Sequence, residues 1–311
     1  MKKVAGLILL TSITILAVTF SFAQNDKKPL SGSLEEQKKE IEKTRKGTQE
    51  QMAQAKGSAD KERILFLEDL DALLESNSRC YQEKEEIDIR VCMLNGNKKL
   101  AEKGNFIAQD MLARNYHEFH QNIPMTLKWF KKAVENPRTP SQFKERLTKD
   151  INALEEELKK APPEGEISNT TKKEIEQLNS DKENALKQKR KAELLDDKDN
   201  LTIYQEMETF LDAALPCYAK KDDHEIYICS LQEIKKLAEN GNFIAQHQLA
   251  NIYENSYENK AMAIEWYQKG LENQKTPESY RPQLKQDLER VQAMQDKSQP
   301  TEQNQNEKNE E

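Results

Sequence analysis

Apolar residues along this chain return at intervals of three and four. In the first half Ile64, Leu67, Leu70, Leu73 and Leu74 fall on one side of a helical wheel, which predicts a helix over residues 62–82. A charged turn at 83–86 follows, then a helix over 88–103 that stops at Gly104, a residue that readily takes the left-handed conformation ending a helix. Asn105 is placed to cap a helix over 106–118. The next helix, 124–135, opens with Pro124, which the first turn tolerates. Beyond Pro137 and Pro140 a last helix is expected over 141–159, with Ser141 as its cap. No stretch alternates polar and apolar positions with period two, so the expected fold class is all-α, without sheet.

The pattern then repeats. Residues 98–116, KKLAEKGNFIAQDMLARNY, and 235–253, KKLAENGNFIAQHQLANIY, are identical at 14 of 19 positions. The same separation of 137 relates Cys80 to Cys217, Cys92 to Cys229, Trp129 to Trp266 and Pro140 to Pro277. Upstream, KKEIE at 38–42 returns at 172–176, a separation of 134, so the repeated unit is expected to include a charged leader with a three-residue difference in length. Each copy then covers about 33–160 or 168–295, and self-similarity at a fixed period is the mark of stacked helical architectures.

The segments LAEKGNFIAQDMLARNY with TLKWFKKAVEN, and LAENGNFIAQHQLANIY with AIEWYQKGLEN, resemble Sel1-like repeats, relatives of the tetratricopeptide repeat. The resemblance covers about 101–136 and 238–273. It departs from the family at Ala113 and Ala250, where glycine is usual, and in the loops HQNIP and SYENK, which lack glycine. It implies helix-turn-helix pairs forming a fragment of α-solenoid with a protein-binding surface. The expected organisation is two tandem copies of a small Sel1/TPR-like module joined by charged helical or flexible linkers. A signal peptide occupies 1–23, a charged leader, helical or disordered, 24–61, and module one 62–160. A hinge at Pro162-Pro163-Glu164-Gly165 and a charged linker fill 161–200, module two runs 201–295, and a disordered polar tail 296–311. Leu178, Ala185 and Ala192 in the linker lie seven apart, a coiled-coil spacing set in a seam that is short and polar.

Composition changes this picture in one respect. Charged residues make up 33% of the chain and hydrophobic ones 36%, a balance that suits small helical units better than one large core. The formal net charge of −7, with Lys and Glu alternating along the helices, argues against a nucleic-acid partner, which calls for a basic face.

Lys2 and Lys3, the apolar run Val4–Phe20 and the sequence Ser21-Phe22-Ala23 have the three parts of a secretory signal with cleavage between Ala23 and Gln24. A retained anchor is the alternative, since the apolar run is near the ~17-residue lower limit for a span. No later segment is apolar enough to cross a bilayer. The expected location is periplasmic or secreted, with no stable membrane insertion after cleavage.

Four cysteines in an exported chain allow three pairings. Because each copy carries its own pair twelve positions apart, an ancestral single unit could have paired only within itself or with another molecule, and the expected bridges are Cys80–Cys92 and Cys217–Cys229. Free, reactive or metal-binding thiols are the alternative, without the CxxC spacing of a zinc or redox site. Each bridge would staple a helix hairpin across its turn. Antiparallel helix axes ~8–10 Å apart would have to converge to bring the Cα atoms within ~7 Å.

Signs of chemistry are scarce. His117 and His120 lie one helical turn apart, but the second copy has Glu254 and Tyr257 there and no third ligand is evident, so an exposed helix end is expected. His224 and His247 have no partner that spacing can name. Ser58-x-x-Lys61 and Ser141-x-x-Lys144 match a serine–lysine pattern without its companion motifs. There is no phosphate-cradling glycine loop. Trp129, Phe130, Trp266 and Tyr267 read as packing residues. No catalytic, metal or cofactor site is expected. The expected function is non-enzymatic binding or scaffolding of a protein or peptide partner. The alternatives are a structural or stress-related envelope spacer and, less favoured, a hydrolase with an unrecognised site.

Overall fold

The computed structural model describes residues 34–159 and 167–296. The signal segment with Ala23 and Gln24, the hinge at 162–165 and the tail from 297 lie outside the described residues. Within them the protein is all-α, with twelve α-helices and one short 3₁₀ segment in consecutive antiparallel pairs. In chain order these are α1 (Leu34–Ser58), α2 (Lys61–Cys80), α3 (Glu86–Glu102), α4 (Phe106–Glu118), α5 (Ile123–Glu135) and α6 (Ser141–Leu158). Then come α7 (Asn169–Leu195), α8 (Lys198–Ala214), the 3₁₀ turn Leu215–Ala219, α9 (Asp223–Glu239), α10 (Phe243–Asn255), α11 (Lys260–Glu272) and α12 (Arg281–Asp296). The described residues divide into two compact units, one of 34–159, 167–180 and 213–233, the other of 181–212 and 234–296.

In the first unit the charged leader is a helix with a buried seam. Ile41, Thr48 and Ala55, seven apart, are all shielded from solvent, and Arg45 reaches across to Asp71 at 3.1 Å and Glu75 at 2.7 Å on α2. Ala59, at φ 56°, turns the chain, and Asp60 caps α2 by accepting the Arg63 amide. α2 and α3 then approach closely: a Cβ on Gly96 would lie 2.6 Å from Ser76 Oγ. That small-residue contact lets the helices converge, and the Cys80 and Cys92 Cα atoms stand 5.5 Å apart in a disulfide.

Gly104, at φ +88°, ends α3 and Asn105 starts α4 by accepting the Ala108 amide. Asn105 Nδ2 donates to the Asp69 carbonyl, while the Asp69 carboxylate accepts the Phe106 amide at 2.9 Å and Arg138 Nε at 2.7 Å. Burial raises the Asp69 pKa above the ordinary carboxylate value, opposed by those donors. Asn136 Nδ2 donates to Gly104 O and to Gln109 Oε1, holding the end of α5 against the α3–α4 corner. Ser141 is the first helical residue of α6, behind Pro140, and does not cap it: its amide and hydroxyl both reach Glu62 Oε1, tying α6 to α2. Around this frame Phe106, Ala108, Leu112, Tyr116, Ala133 and Leu147 pack as the core.

In the second unit the same bonds stand 137 residues later. Asn242 Nδ2 donates to Glu206 O, Gln246 Nε2 to Ala238 O, Asn273 Nδ2 to Gly241 O, and Thr276 Oγ1 to Gly270 O. Ala185 and Ala192 are buried on α7, while Lys182 and Lys189 bridge to Asp212 and Glu208 on α8. The left-handed turns follow the same step: Ala59 with Asp196, Gln121 with Glu258, Gly104 with Gly241. Asp197 accepts the Asn200 amide as Asp60 accepts that of Arg63. The KKEIE match at 134 is therefore out of register with the structure, and the expected three-residue difference is not there. Short Lys/Glu strings recur by composition, whereas buried seams and caps allow no slip.

Candidate functional site

Two polar clusters hold His120, His224 and His247. The first lies in the first unit, where the start of α9 meets the α4–α5 corner. Asp222 precedes α9 and accepts the Glu225 amide at 3.1 Å, as a helix cap does. The same carboxylate accepts the Tyr116 hydroxyl at 2.5 Å. Asp223 accepts Asn122 Nδ2 at 2.9 Å and the Ser168 amide at 3.0 Å, and Lys98 pairs with Glu225 at 2.5 Å. His224 is 1% exposed. Its Nε2 stands 3.3 Å from the Leu94 carbonyl, and its Nδ1 is buried with no hydrogen-bond partner among the described residues.

The half-buried ring of His120 packs edge-on against His224 at 6.2 Å between centroids, and also against Tyr116 at 5.7 Å and Tyr227 at 5.8 Å. Burial pushes the His224 pKa down to about 4, with the neighbouring His120 adding to the depression. Burial also lowers that of His120, against the pull of Asp223 and Asp222. The Tyr116 hydroxyl is held protonated, first by burial and then by the charge of Asp222. Both imidazoles are thus neutral near pH 7, and a carbonyl acceptor assigns the proton of His224 to Nε2.

The second cluster, in the second unit, centres on His247 of α10. Its Nδ1 lies 2.7 Å from the Tyr280 hydroxyl and its Nε2 3.0 Å from Asp287 Oδ2 on α12. Asp287 also accepts Arg290 Nη2 at 2.7 Å, Arg290 reaches Glu254, and Glu254 Oε2 accepts the Tyr267 hydroxyl at 2.8 Å. In outline this is a tyrosine–histidine–aspartate relay. Burial and the Asp287 charge push the Tyr280 phenol up to about 12, so it is protonated at neutral pH. At the corresponding places 137 residues earlier stand Asp110, Phe143 and Asp150. There Asp110 pairs with Arg146 at 2.8 Å and Arg114 at 3.2 Å, and Arg114 with Asp150 at 3.4 Å. The same helix contact is held by ion pairs in one unit and by the histidine network in the other.

The residues singled out from sequence divide accordingly. Cys80–Cys92 and Cys217–Cys229 are both bridged, each with Cα atoms 5.5 Å apart. Cys217 sits in the 3₁₀ turn that Pro216 imposes by ending α8, where copy one has Arg79 and a continuous helix. His117 is exposed, but His120 is not an exposed helix end: the turn after α4 carries it into the contact with α9. Trp129 and Trp266 are buried, with Lys132 and Lys269 over their rings at 4.2 and 3.9 Å. The histidine clusters escaped the sequence because their members lie 104 and 40 residues apart, at positions that differ between the copies.

Among the described residues no group of three or more His, Cys, Asp or Glu is placed to hold a metal ion, and no helix is long and apolar enough to cross a membrane. Compared with protein-family models, with curated proteins and with solved structures, the chain gives no match to any of them.

Proposed function

We propose that this chain is an exported, disulfide-stabilised protein of duplicated Sel1/TPR-like helical modules that binds or scaffolds a protein or peptide and catalyses no reaction. One observation carries the reading: the residues on which the resemblance rests are packing residues in both places. Ala108, Leu112, Tyr116 and Ala133 are buried, as are Ala245, Leu249, Tyr253 and Gly270, and the caps around them repeat with a step of 137. Small and aromatic residues at such positions let paired helices stack into a solenoid surface. Two disulfides support an oxidising compartment outside the cytoplasm, where such bonds persist.

The test is mild crosslinking of the tagged protein in its native compartment, followed by affinity capture and peptide identification. A discrete, saturable crosslinked species is expected, with the mature chain starting at Gln24. Recovery of the protein alone, or reproducible turnover abolished by Ser141→Ala, overturns the reading.

A further inference from the structure

Within the second unit, α7 has a face that the fold does not use. Ala185 and Ala192 point its seam inward, and Lys182 and Lys189 are spent on Asp212 and Glu208. On the opposite side Glu183, Leu186, Lys187, Arg190, Lys191 and Leu194 line a surface groove of about 440 Å³. Leu194, at its C-terminal end, is 87% exposed and the adjoining Leu195 65%. Lys187, Arg190 and Lys191 are exposed and have no ion pair among the described residues.

We propose that this face of α7, from Glu183 to Leu194, docks an acidic amphipathic helix of a partner protein. The proposal rests on the binding reading above and names the chemistry of the partner. Spacings of three, four and seven line Lys191, Arg190 and Lys187 up ahead of Leu194 over about two turns, and Glu183 extends the face to about three turns, roughly 17 Å of helix. That pattern asks for an apolar side chain flanked by carboxylates at the same spacing, with a cation opposite Glu183.

Three bland explanations fail. Cations in the last turn of a helix answer its dipole, but the last turn of α7 contains none. The fold does not need them, since α1, with a buried seam in the same register, has Lys46, Gln49, Glu50, Ala53, Gln54 and Gly57 at the matching places. A general excess of positive charge is absent too, because the chain is net −7.

The chain's own outlying segments fit poorly: residues 297–311 carry carboxylates but no apolar side chain, and residues 1–23 are apolar but carry no carboxylate. A lipid surface calls for a broad apolar face, where this groove offers two leucines among charges.

The experiment uses the full mature chain and a fluorescent helical peptide of Glu, Leu and Ala with Leu set between Glu residues at i±3 and i±4. Controls are the same peptide with Lys for Glu, and phosphatidylglycerol vesicles. Saturable binding of the acidic peptide is expected, weakening at about 0.3 M salt. It should fall about tenfold or more in the Lys187→Glu, Arg190→Glu, Lys191→Glu triple variant and also fall in Leu194→Ser, with melting unchanged. Equal binding of both peptides, indifference to charge reversal, or binding to vesicles in place of the peptide overturns the proposal. Native crosslinking with the triple variant separates the two levels. A partner captured equally by wild type and variant refutes the α7 face and leaves the binding reading standing, whereas no partner with either refutes the reading.

Discussion

At the scale of single residues, the polar contacts between helices are decided by which group has lost its water. His247 is buried and neutral, so its Nδ1 must accept a hydrogen bond, and the Tyr280 hydroxyl supplies one at 2.7 Å. Tyr280→Phe leaves that nitrogen unsatisfied and is expected to cost about 1–3 kcal/mol, read as a lower urea midpoint. An unchanged midpoint would show that the nitrogen finds water. The Gly96–Ser76 approach makes a second test. Gly96→Ala brings Cβ to 2.6 Å from Ser76 Oγ, the rotatable end of that side chain, and the rotamer change it forces is expected to cost about 0.5–1.5 kcal/mol, set against the better helix propensity of alanine. Adding Ser76→Ala removes that oxygen and leaves Ser76 Cβ 3.9 Å away as the nearest atom, so the double variant should recover the loss. A double variant no better than Gly96→Ala would place the strain elsewhere.

At the scale of elements, the docking of α9 on the α4–α5 corner is where pH should act. The groups facing His224 and His120 are Asp222, Asp223 and Glu225 at the start of α9, Lys98 on α3, Tyr116 on α4 and Tyr227 on α9. The folded-state pKa of His224, about 4, lies below its ordinary value of 6.5, and that of His120 is lowered in the same direction. The unfolded chain therefore binds more protons than the folded one below pH 6.5. Stability is full above that value and falls as pH drops toward 4, with a slope of up to about 1.4 kcal/mol per unit for each histidine. The protection factors of the α9 amides, with the pH dependence of intrinsic exchange divided out, should fall between pH 7 and 5 and lose much of that dependence in His224→Leu. The same pH response in the variant would count against His224. Helix existence here was legible in the sequence: residues 106–118 are helical end to end as the spacing predicts, and 61–80, 86–102, 123–135 and 141–158 differ from expectation by a residue or two. Caps and periodicity are local, so they can be read locally. The first leader was not, since charge hides its seam of Ile41, Thr48 and Ala55, whereas Ala185 and Ala192, seven apart in the second, are buried as their spacing suggests. The corner cluster was not legible either, because its members depend on which helix stacks on which.

At the scale of the molecule, the disulfides and the compact units do not divide the chain in the same way as the repeat. The repeat assigns one bridge to each copy, yet residues 213–233, with Cys217–Cys229, cluster with the first unit. The reason is in the contacts: the hairpin closed by that bridge presents Asp222 to Tyr116 and Asp223 to Asn122 and Ser168. Both bridges close short loops, twelve residues apart in sequence, and in the chain-entropy model each contributes about 3 kcal/mol. Removing Cys217–Cys229 as a paired serine variant should therefore loosen the α4–α5 corner as well as the start of α9, while α10, α11 and α12 keep their protection. Hydrogen exchange followed by mass spectrometry reads this segment by segment. Faster exchange at residues 106–135 and 223–233 with unchanged exchange at 243–296 is the expected pattern. If the loss appeared in α10–α12 and spared α4 and α5, the second bridge would be acting with the later helices, and the role assigned to the Asp222 and Asp223 contacts would fall.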